Sequence, residues 1–154
     1  MPATLVDQLT PYTCSLACLE SYFIDVQKPL SQADMLKRHY QILQVHDPKH
    51  RHEYGAADDG KIIGLCTALG YSAGLYMDFR QQEVEKVFQD ALGKKSAVLI
   101  LCFWGNQDHH CVRLSDVKMP GVYEVMCPGF PTSGLVNVTF PSLVSWGFRF
   151  LIVS

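Results

Sequence analysis

Cys14 combines the residue type and the position of a nucleophile. Thr13, the residue before it, can accept an N–H hydrogen bond as an N-cap, so we expect Cys14 in the first turn of a helix. A helix N-terminus favours the thiolate, which is the reactive form of a thiol. The apolar residues that predict this helix recur at helical spacing and are Leu16, Leu19, Phe23 and Val26.

Gln8 is a second candidate because it lies six residues before Cys14. Its side chain could reach back across Pro11 and donate an amide N–H to an oxyanion that forms near the sulfur. The backbone N–H of Cys14 would be a second donor to the same oxyanion. The spacing therefore makes Gln8 a candidate oxyanion ligand.

The segment around these two residues resembles a known family. Gln8-Leu-Thr-Pro-Tyr-Thr-Cys14-Ser-Leu-Ala-Cys-Leu resembles the N-terminal motif of the C39 peptidase family, in which a glutamine precedes the nucleophilic cysteine by six residues. Further along, His110-Cys-Val-Arg-Leu resembles the family's histidine at the head of a central strand. Tyr123-Glu-Val-Met-Cys127-Pro128-Gly129 resembles its next strand, which ends in an Asp-Pro pair, and Pro29-Leu-Ser-Gln-Ala-Asp-Met-Leu is similar to its second helix.

The resemblance implies a papain-like fold in one domain, residues 1–154, and a cysteine peptidase that needs no cofactor. Cys14 would attack an amide carbonyl of a peptide or protein substrate, His110 would take its proton, and Gln8 would stabilise the oxyanion. A deamidase or an acyltransferase would use the same intermediate. Members of the family cleave after a Gly-Gly leader, and the same cleavage specificity in this chain would rest on analogy alone.

The sequence departs from the family at two positions. Ser15 stands where the family usually has glycine, and Cys127 stands where it has the aspartate that orients the histidine. A thiol is a weaker hydrogen-bond acceptor than a carboxylate. Four alternatives remain open: a Cys14/His110 dyad, another acceptor such as Asn137 or Asp108, a catalytically silent peptide-binding domain, or Cys127 as a redox partner of Cys14.

His109 competes with His110 for the role of base. On a strand the two side chains face opposite sides, so His110 shares a face with Val112 and Leu114, whereas His109 shares one with Cys111. This pattern and the family motif favour His110. Separately, His39, His46, His50 and His52 allow a metal-binding regulator as a weaker alternative.

The elements that position these residues follow from periodicity and from breaks. Four helices are expected, over residues 14–26, 31–41, 58–70 and 78–93, with an exposed loop at 46–59. The run 97–104 predicts a fully buried strand, and further strands are expected at 111–114, 122–126, 135–140 and 148–153. Helices followed by strands predict an α+β fold, in which a helical N-terminal half packs on a largely antiparallel C-terminal sheet.

Composition narrows the possible functions. The 154 residues are 48% hydrophobic and 18% charged, with a formal net charge of -2, which disfavours disorder and nucleic-acid binding. No signal peptide or membrane span is expected, so the prediction is a cytoplasmic protein, with export by a signal-less route left open. The six cysteines are expected to be reduced and are Cys14, Cys18, Cys66, Cys102, Cys111 and Cys127.

Overall fold

The structure is a computed structural model that describes residues 2–9, 13–43, 59–78, 80–107, 109–129 and 132–154. The helices in these ranges are α1 (Cys14–Asp25), α2 (Gln32–Arg38), α3 (Tyr40–Leu43), α4 (Asp59–Ala68), α5 (Gln81–Gly93) and α6 (Phe140–Ser145). The strands are β1 (Ala73–Tyr76), β2 (Ala97–Phe103), β3 (His109–Met119), β4 (Val122–Cys127), β5 (Gly134–Thr139) and β6 (Arg149–Val153). A short 3-10 helix at Trp104–Asn106 follows β2.

The six strands form one sheet in the order β1-β6-β2-β3-β4-β5, and every neighbouring pair is antiparallel. Most helices precede most strands along the chain, so the predicted α+β class with a C-terminal antiparallel sheet is confirmed. No helix in the described part of the chain is long and apolar enough to cross a membrane.

The sheet has a buried cluster on each face because β2 contributes side chains to both. Leu99 and Leu101 point to the side covered by α1, which we call the α1 face. Val98 and Ile100 point to the side covered by α5 and α6, which we call the α5 face. This alternation explains why β2 is a continuous apolar run: a strand covered on both sides has no solvent-facing positions.

α1 is fixed on β3 by a polar network at its C-terminal end. The Arg113 side chain in β3 donates to Ser21 Oγ at 2.8 Å and pairs with the Asp25 carboxylate in α1. Asp25 also accepts hydrogen bonds from the backbone and side chain of Thr4. The N-terminal segment, α1 and β3 are therefore held in one register, which sets where Cys14 lies at the other end of α1.

The edge strand β1 and the short helix α6 are among the elements that were not predicted. The edge strand β1 is only four residues long and has no alternating pattern, and its pairing with β6 defines it. The short helix α6 begins after Thr139, whose side chain accepts from the Ser142 N–H, with Pro141 in its first turn. The predicted strands at 135–140 and 148–153 leave the residues between them without an assigned element.

The predicted helix caps have mixed outcomes. Ser31, the first residue of the range expected for the second helix, accepts the Asp34 N–H, and Gly70, the last residue of the range expected for the third, has a positive φ of 86°. Thr13 is the N-cap residue of α1, but its side chain makes no capping hydrogen bond, so that detail was wrong. The helix expected from Asp78 begins at Gln81, and the Asp78 side chain accepts the Arg80 N–H just before it.

Candidate functional site

Cys14 is the first residue of α1 and is 6% exposed. The pKa of its thiol is raised from 9.0 to about 12, because burial disfavours the thiolate and the nearby Cys111 thiol adds to the effect. The backbone N–H groups of Cys111, Ser15 and Cys14 act in the opposite direction and lower the pKa by less. The expected activation at a helix N-terminus is therefore present but is outweighed by burial, so Cys14 is a neutral thiol in this state.

His110 lies near the start of β3, between Trp104 and Cys127. Its Nε2 is 3.3 Å from Cys127 Sγ, and its ring meets the Trp104 ring edge-on at 5.7 Å and 74°. The pKa of His110 is lowered from 6.5 to about 4, first because burial disfavours the imidazolium and then because of the charge of neighbouring His109. His110 is therefore a neutral imidazole at neutral pH, with Cys127 on one of its two nitrogens.

Strand alternation explains the contact between His110 and Cys127. His110 has the same parity on β3 as Val112, and Cys127 has the same parity on β4 as Val125. Val112 and Val125 belong to the α5 face, and Cys127 packs against that cluster. Because β3 and β4 are neighbours, two side chains that share a face near the same end of both strands come into contact.

Cys14 reaches β3 from the other side. Cys14 and Cys111 belong to the α1 face, and the Cys111 N–H favours the Cys14 thiolate. Cys111 directly follows His110 on β3, so the Cys14 thiol packs beside the residue next to His110 but on the opposite face of the sheet. Proton transfer from Cys14 to His110 requires a distance of about 4 Å between Cys14 Sγ and a ring nitrogen of His110, and this distance stays a prediction.

Gln8 lies at the same end of the sheet. Its backbone N–H donates to Gly129 O at 2.9 Å, two residues beyond Cys127, and Gln8 is 8% exposed. Flanking bonds fix this segment: Leu9 N–H donates to Gln32 Oε1 at 2.8 Å, and the Gln32 side-chain amide donates to Asp7 O at 2.8 Å. The segment that carries Gln8 is therefore held beside the end of β4.

Gly129 is required by the close approach of the chain beyond β4. A Cβ at this position would lie 1.6 Å from the backbone oxygen of Thr132. The Ser133 N–H also donates to the Asp7 carboxylate at 2.7 Å, which ties this connection to the N-terminal segment. Glycine at 129 thus allows the Gly129 and Thr132 backbones to approach each other closely, beside the carbonyl that accepts the Gln8 N–H.

Asn137 does not lie where an acceptor for His110 is expected. It pairs with Glu124 in the register of β4 and β5, whereas Cys127 pairs with Gly134. Asn137 is thus three strand positions, about 10 Å, from the level of Cys127 and faces the opposite side of the sheet. Asp108, the other alternative acceptor, lies outside the described residues.

A second polar cluster surrounds His109 and was missed in the sequence. Arg149 Nε donates to Asp59 Oδ2 at 2.6 Å, while Asp59 Oδ1 and His109 Nε2 are buried without a hydrogen-bond partner. The pKa of His109 is lowered by burial and by Arg149, and Asp59 opposes this. Asp59 and Arg149 are 90 residues apart, so no local pattern signals the pair, although alternation did place His109 on the face of Cys111.

The metal-binding alternative concerns the histidine-rich segment. His46, His50 and His52 lie outside the described residues, so this alternative stays a prediction. Across the described ranges, no group of three or more His, Cys, Asp or Glu side chains is arranged to hold a metal ion. All six cysteines are free thiols.

Comparisons with known proteins leave the family open. The chain matches no protein-family model and no curated protein. Its function must therefore be argued from the arrangement of its own residues.

Proposed function

We propose that this chain is a cysteine peptidase, or a related thiol acyl-transfer enzyme, with a papain-like fold of the C39 type and a peptide or protein substrate. The observation that carries the proposal is the 3.3 Å contact between His110 Nε2 and Cys127 Sγ. The resemblance assigns residue 127 to the group that orients the catalytic histidine, and this contact is the one that such a group makes.

The imidazole then serves two partners through its two nitrogens. With Nε2 on Cys127, we assign Nδ1 to the proton of Cys14, which packs on the opposite face of the sheet, so the transfer takes place around the end of β3 where His110 lies. The pKa values of about 12 and about 4 leave both groups neutral at rest, so the proton moves as the sulfur attacks the carbonyl carbon. The imidazolium gives this proton to the leaving amine, and His110 then activates the water that hydrolyses the thioester.

Gln8 is assigned to the oxyanion. The Gln8–Gly129 hydrogen bond holds the backbone of residue 8 beside the end of β4, and Cys14 starts α1 six residues later. A donor that is fixed before the reaction stabilises the tetrahedral oxyanion without further reorganisation. The side-chain amide of Gln8 and the backbone N–H of Cys14 would be the two donors.

An activated ester tests the proposal without knowledge of the natural substrate. Incubation with p-nitrophenyl acetate should leave an acetyl group on Cys14, which mass spectrometry of peptides locates after an acid quench. The adduct should be lost in Cys14→Ala and kept in Cys18→Ala, the matched control one turn along α1. Acetylation of the cysteines at similar rates, or none of Cys14 in a folded protein, would refute the assignment.

The pH dependence gives a second measurement. The base must be neutral, and burial lowers the pKa of His110 to about 4. The rate of Cys14 acetylation should therefore fall in acid with an apparent pKa near 4, well below the ordinary 6.5 of histidine. An apparent pKa near 6.5 in the pH–rate profile would mean that His110 in its described environment is not the base.

A peptide-binding domain without turnover is the second candidate. It is favoured by the raised pKa of Cys14, because a buried neutral thiol is a poor nucleophile until a base takes its proton. A folded protein that binds peptides but never forms an adduct at Cys14 would support this candidate.

A further inference from the structure

The Cys127 thiol differs from the other five in its surroundings. Cys127 is half-buried, whereas the other cysteines are buried. Its sulfur is also 3.3 Å from an imidazole nitrogen, so a nucleophile and a base lie within hydrogen-bond distance. Cys127 thus combines a nucleophilic thiol, a neighbouring base in His110 and partial exposure to solvent.

The pair is held in place by its neighbours. Trp104 packs against the His110 ring, and Trp104 in turn contacts Trp146 at 5.0 Å between ring centroids. The end of β4 is fixed by its pairing of Cys127 with Gly134. The sulfur and the ring nitrogen are thus both carried by packed elements of the sheet.

The tautomer of His110 decides which thiol it serves. With the proton on Nε2, the ring donates to Cys127, and under the proposed function Nδ1 serves Cys14. With the proton on Nδ1, the ring accepts from the Cys127 S–H and acts as its base. Under the proposed function, one imidazole would therefore serve the two thiols in turn.

We infer that Cys127 is a modification site that takes up a small disulfide, such as glutathione disulfide, with His110 as the base. His110 Nε2 accepts the Cys127 proton as the sulfur attacks one sulfur of the disulfide. The S–S bond of the reagent breaks, its second half leaves as a thiolate, and the imidazolium returns the proton to it. The products are one mixed disulfide at Cys127 and one free thiol, with no other oxidant required.

The modification would regulate the site, and this consequence rests on the proposed function. A mixed disulfide has no S–H and carries a bulky group, so the contact that orients His110 is lost. The reaction of Cys14 should then slow until a thiol reductant removes the adduct. The modification itself does not depend on any activity of Cys14.

Peptide mapping after incubation of the full chain with glutathione disulfide is the direct test. We expect the first adduct on Cys127, its loss in Cys127→Ser, and a rate lower by about a hundredfold in His110→Gln, which is the low end for a general base. His109→Gln is the matched control, because His109 faces the other side of the sheet, and its rate should stay within about twofold of wild type. A first adduct on another cysteine, or equal rates in folded His110→Gln and His109→Gln, would overturn the inference.

The wild-type pH profile covers the case in which His110→Gln does not fold. Burial raises the pKa of Cys127, so an unassisted reaction would quicken about tenfold per pH unit between pH 5 and 8. A reaction assisted by neutral His110 should be nearly flat over the same range. A tenfold rise per unit would overturn the role of His110.

Cys14→Ala separates this inference from the proposed function. The variant cannot form the acetyl adduct at residue 14, but its Cys127 should still take up glutathione at the wild-type rate. If the wild-type chain forms the glutathione adduct at Cys127 but is never acylated at Cys14, only the peptidase proposal is refuted. If Cys14 is acylated but Cys127 does not react with glutathione disulfide, only the inference of a modification site is refuted.

Discussion

Replacing Cys127 with Asp should activate Cys14. The Cβ-bound Sγ of cysteine corresponds to the carboxyl carbon of aspartate, and this sulfur is 3.3 Å from His110 Nε2. A carboxylate oxygen at that position can accept a hydrogen bond of about 2.7–2.9 Å from the Nε2–H. The variant would thus supply the orienting anion that the resemblance expects.

The size of the effect follows from the charge. A carboxylate within 4–6 Å changes the pKa of a neighbouring group by about 1–3, and each unit is worth about 1.4 kcal/mol. The imidazolium formed during proton transfer from Cys14 should be stabilised by that amount. The rate of Cys14 alkylation at neutral pH should therefore rise by about 10- to 1000-fold.

The assay is alkylation by iodoacetamide at a series of pH values, with the Cys14 peptide quantified by mass spectrometry. Cys127→Asn is the matched control, because its amide oxygen can hold the same tautomer without a charge. We expect less than about a tenfold gain in Cys127→Asn. The same profile in folded Cys127→Asp and Cys127→Asn would refute the argument from charge, and no change in either would show that residue 127 does not act on the reaction of Cys14.

Three other substitutions test the arrangement. Gln8→Ala should lower kcat for acyl transfer by about 100- to 1000-fold with little change in KM, as loss of an oxyanion donor does, and an unchanged kcat would remove Gln8 from the site. Gly129→Ala should reduce Cys14 acylation because a Cβ there meets the Thr132 backbone, whereas Gly134→Ala, with open space around its Cβ, should not. Equal effects of the two substitutions would show that the close approach at Gly129 does not position the site. Arg113→Met should lower the free energy of unfolding, measured in urea, by about 2–3 kcal/mol. This loss is smaller than for a fully buried ion pair because the Asp25 side chain is 26% exposed. Burial raises the pKa of Asp25, but hydrogen bonds from Thr4 and Arg113 outweigh burial and hold this pKa below 3.8 in the folded protein. The stability that the Arg113–Asp25 pair contributes is therefore present above pH 3.8 and is lost as the pH falls through the lower folded pKa. An equal difference in unfolding free energy between wild type and Arg113→Met at pH 7 and in strong acid would contradict this pH dependence.

The local elements of the fold could be read from the sequence. The helical spacing after Cys14 predicted α1, and the unbroken apolar run from Ala97 predicted the buried strand β2. Such patterns arise because a residue's neighbours within one or two turns, or on the same side of a strand, share its environment. The resemblance, rather than periodicity, made His110 a candidate and marked Cys127 as the residue in place of the orienting aspartate.

Contacts between segments that are far apart in the sequence could be identified only from the tertiary structure. The pairing of β3 with β4 and the common face of His110 and Cys127 together create the 3.3 Å contact, and neither is set by local spacing. The Asp59–Arg149 pair depends in the same way on packing across the sheet.

The protonation states were also decided by packing. The sequence placed Cys14 at a helix N-terminus, where the backbone favours a thiolate, and this local effect is present. Burial by elements far along the chain outweighs it and raises the pKa of Cys14, while it lowers the pKa of His110. The free energy of removing a charge from water depends on everything that surrounds the group, so the residue types at the site were predictable from the sequence, whereas their resting charges were determined by the folded structure.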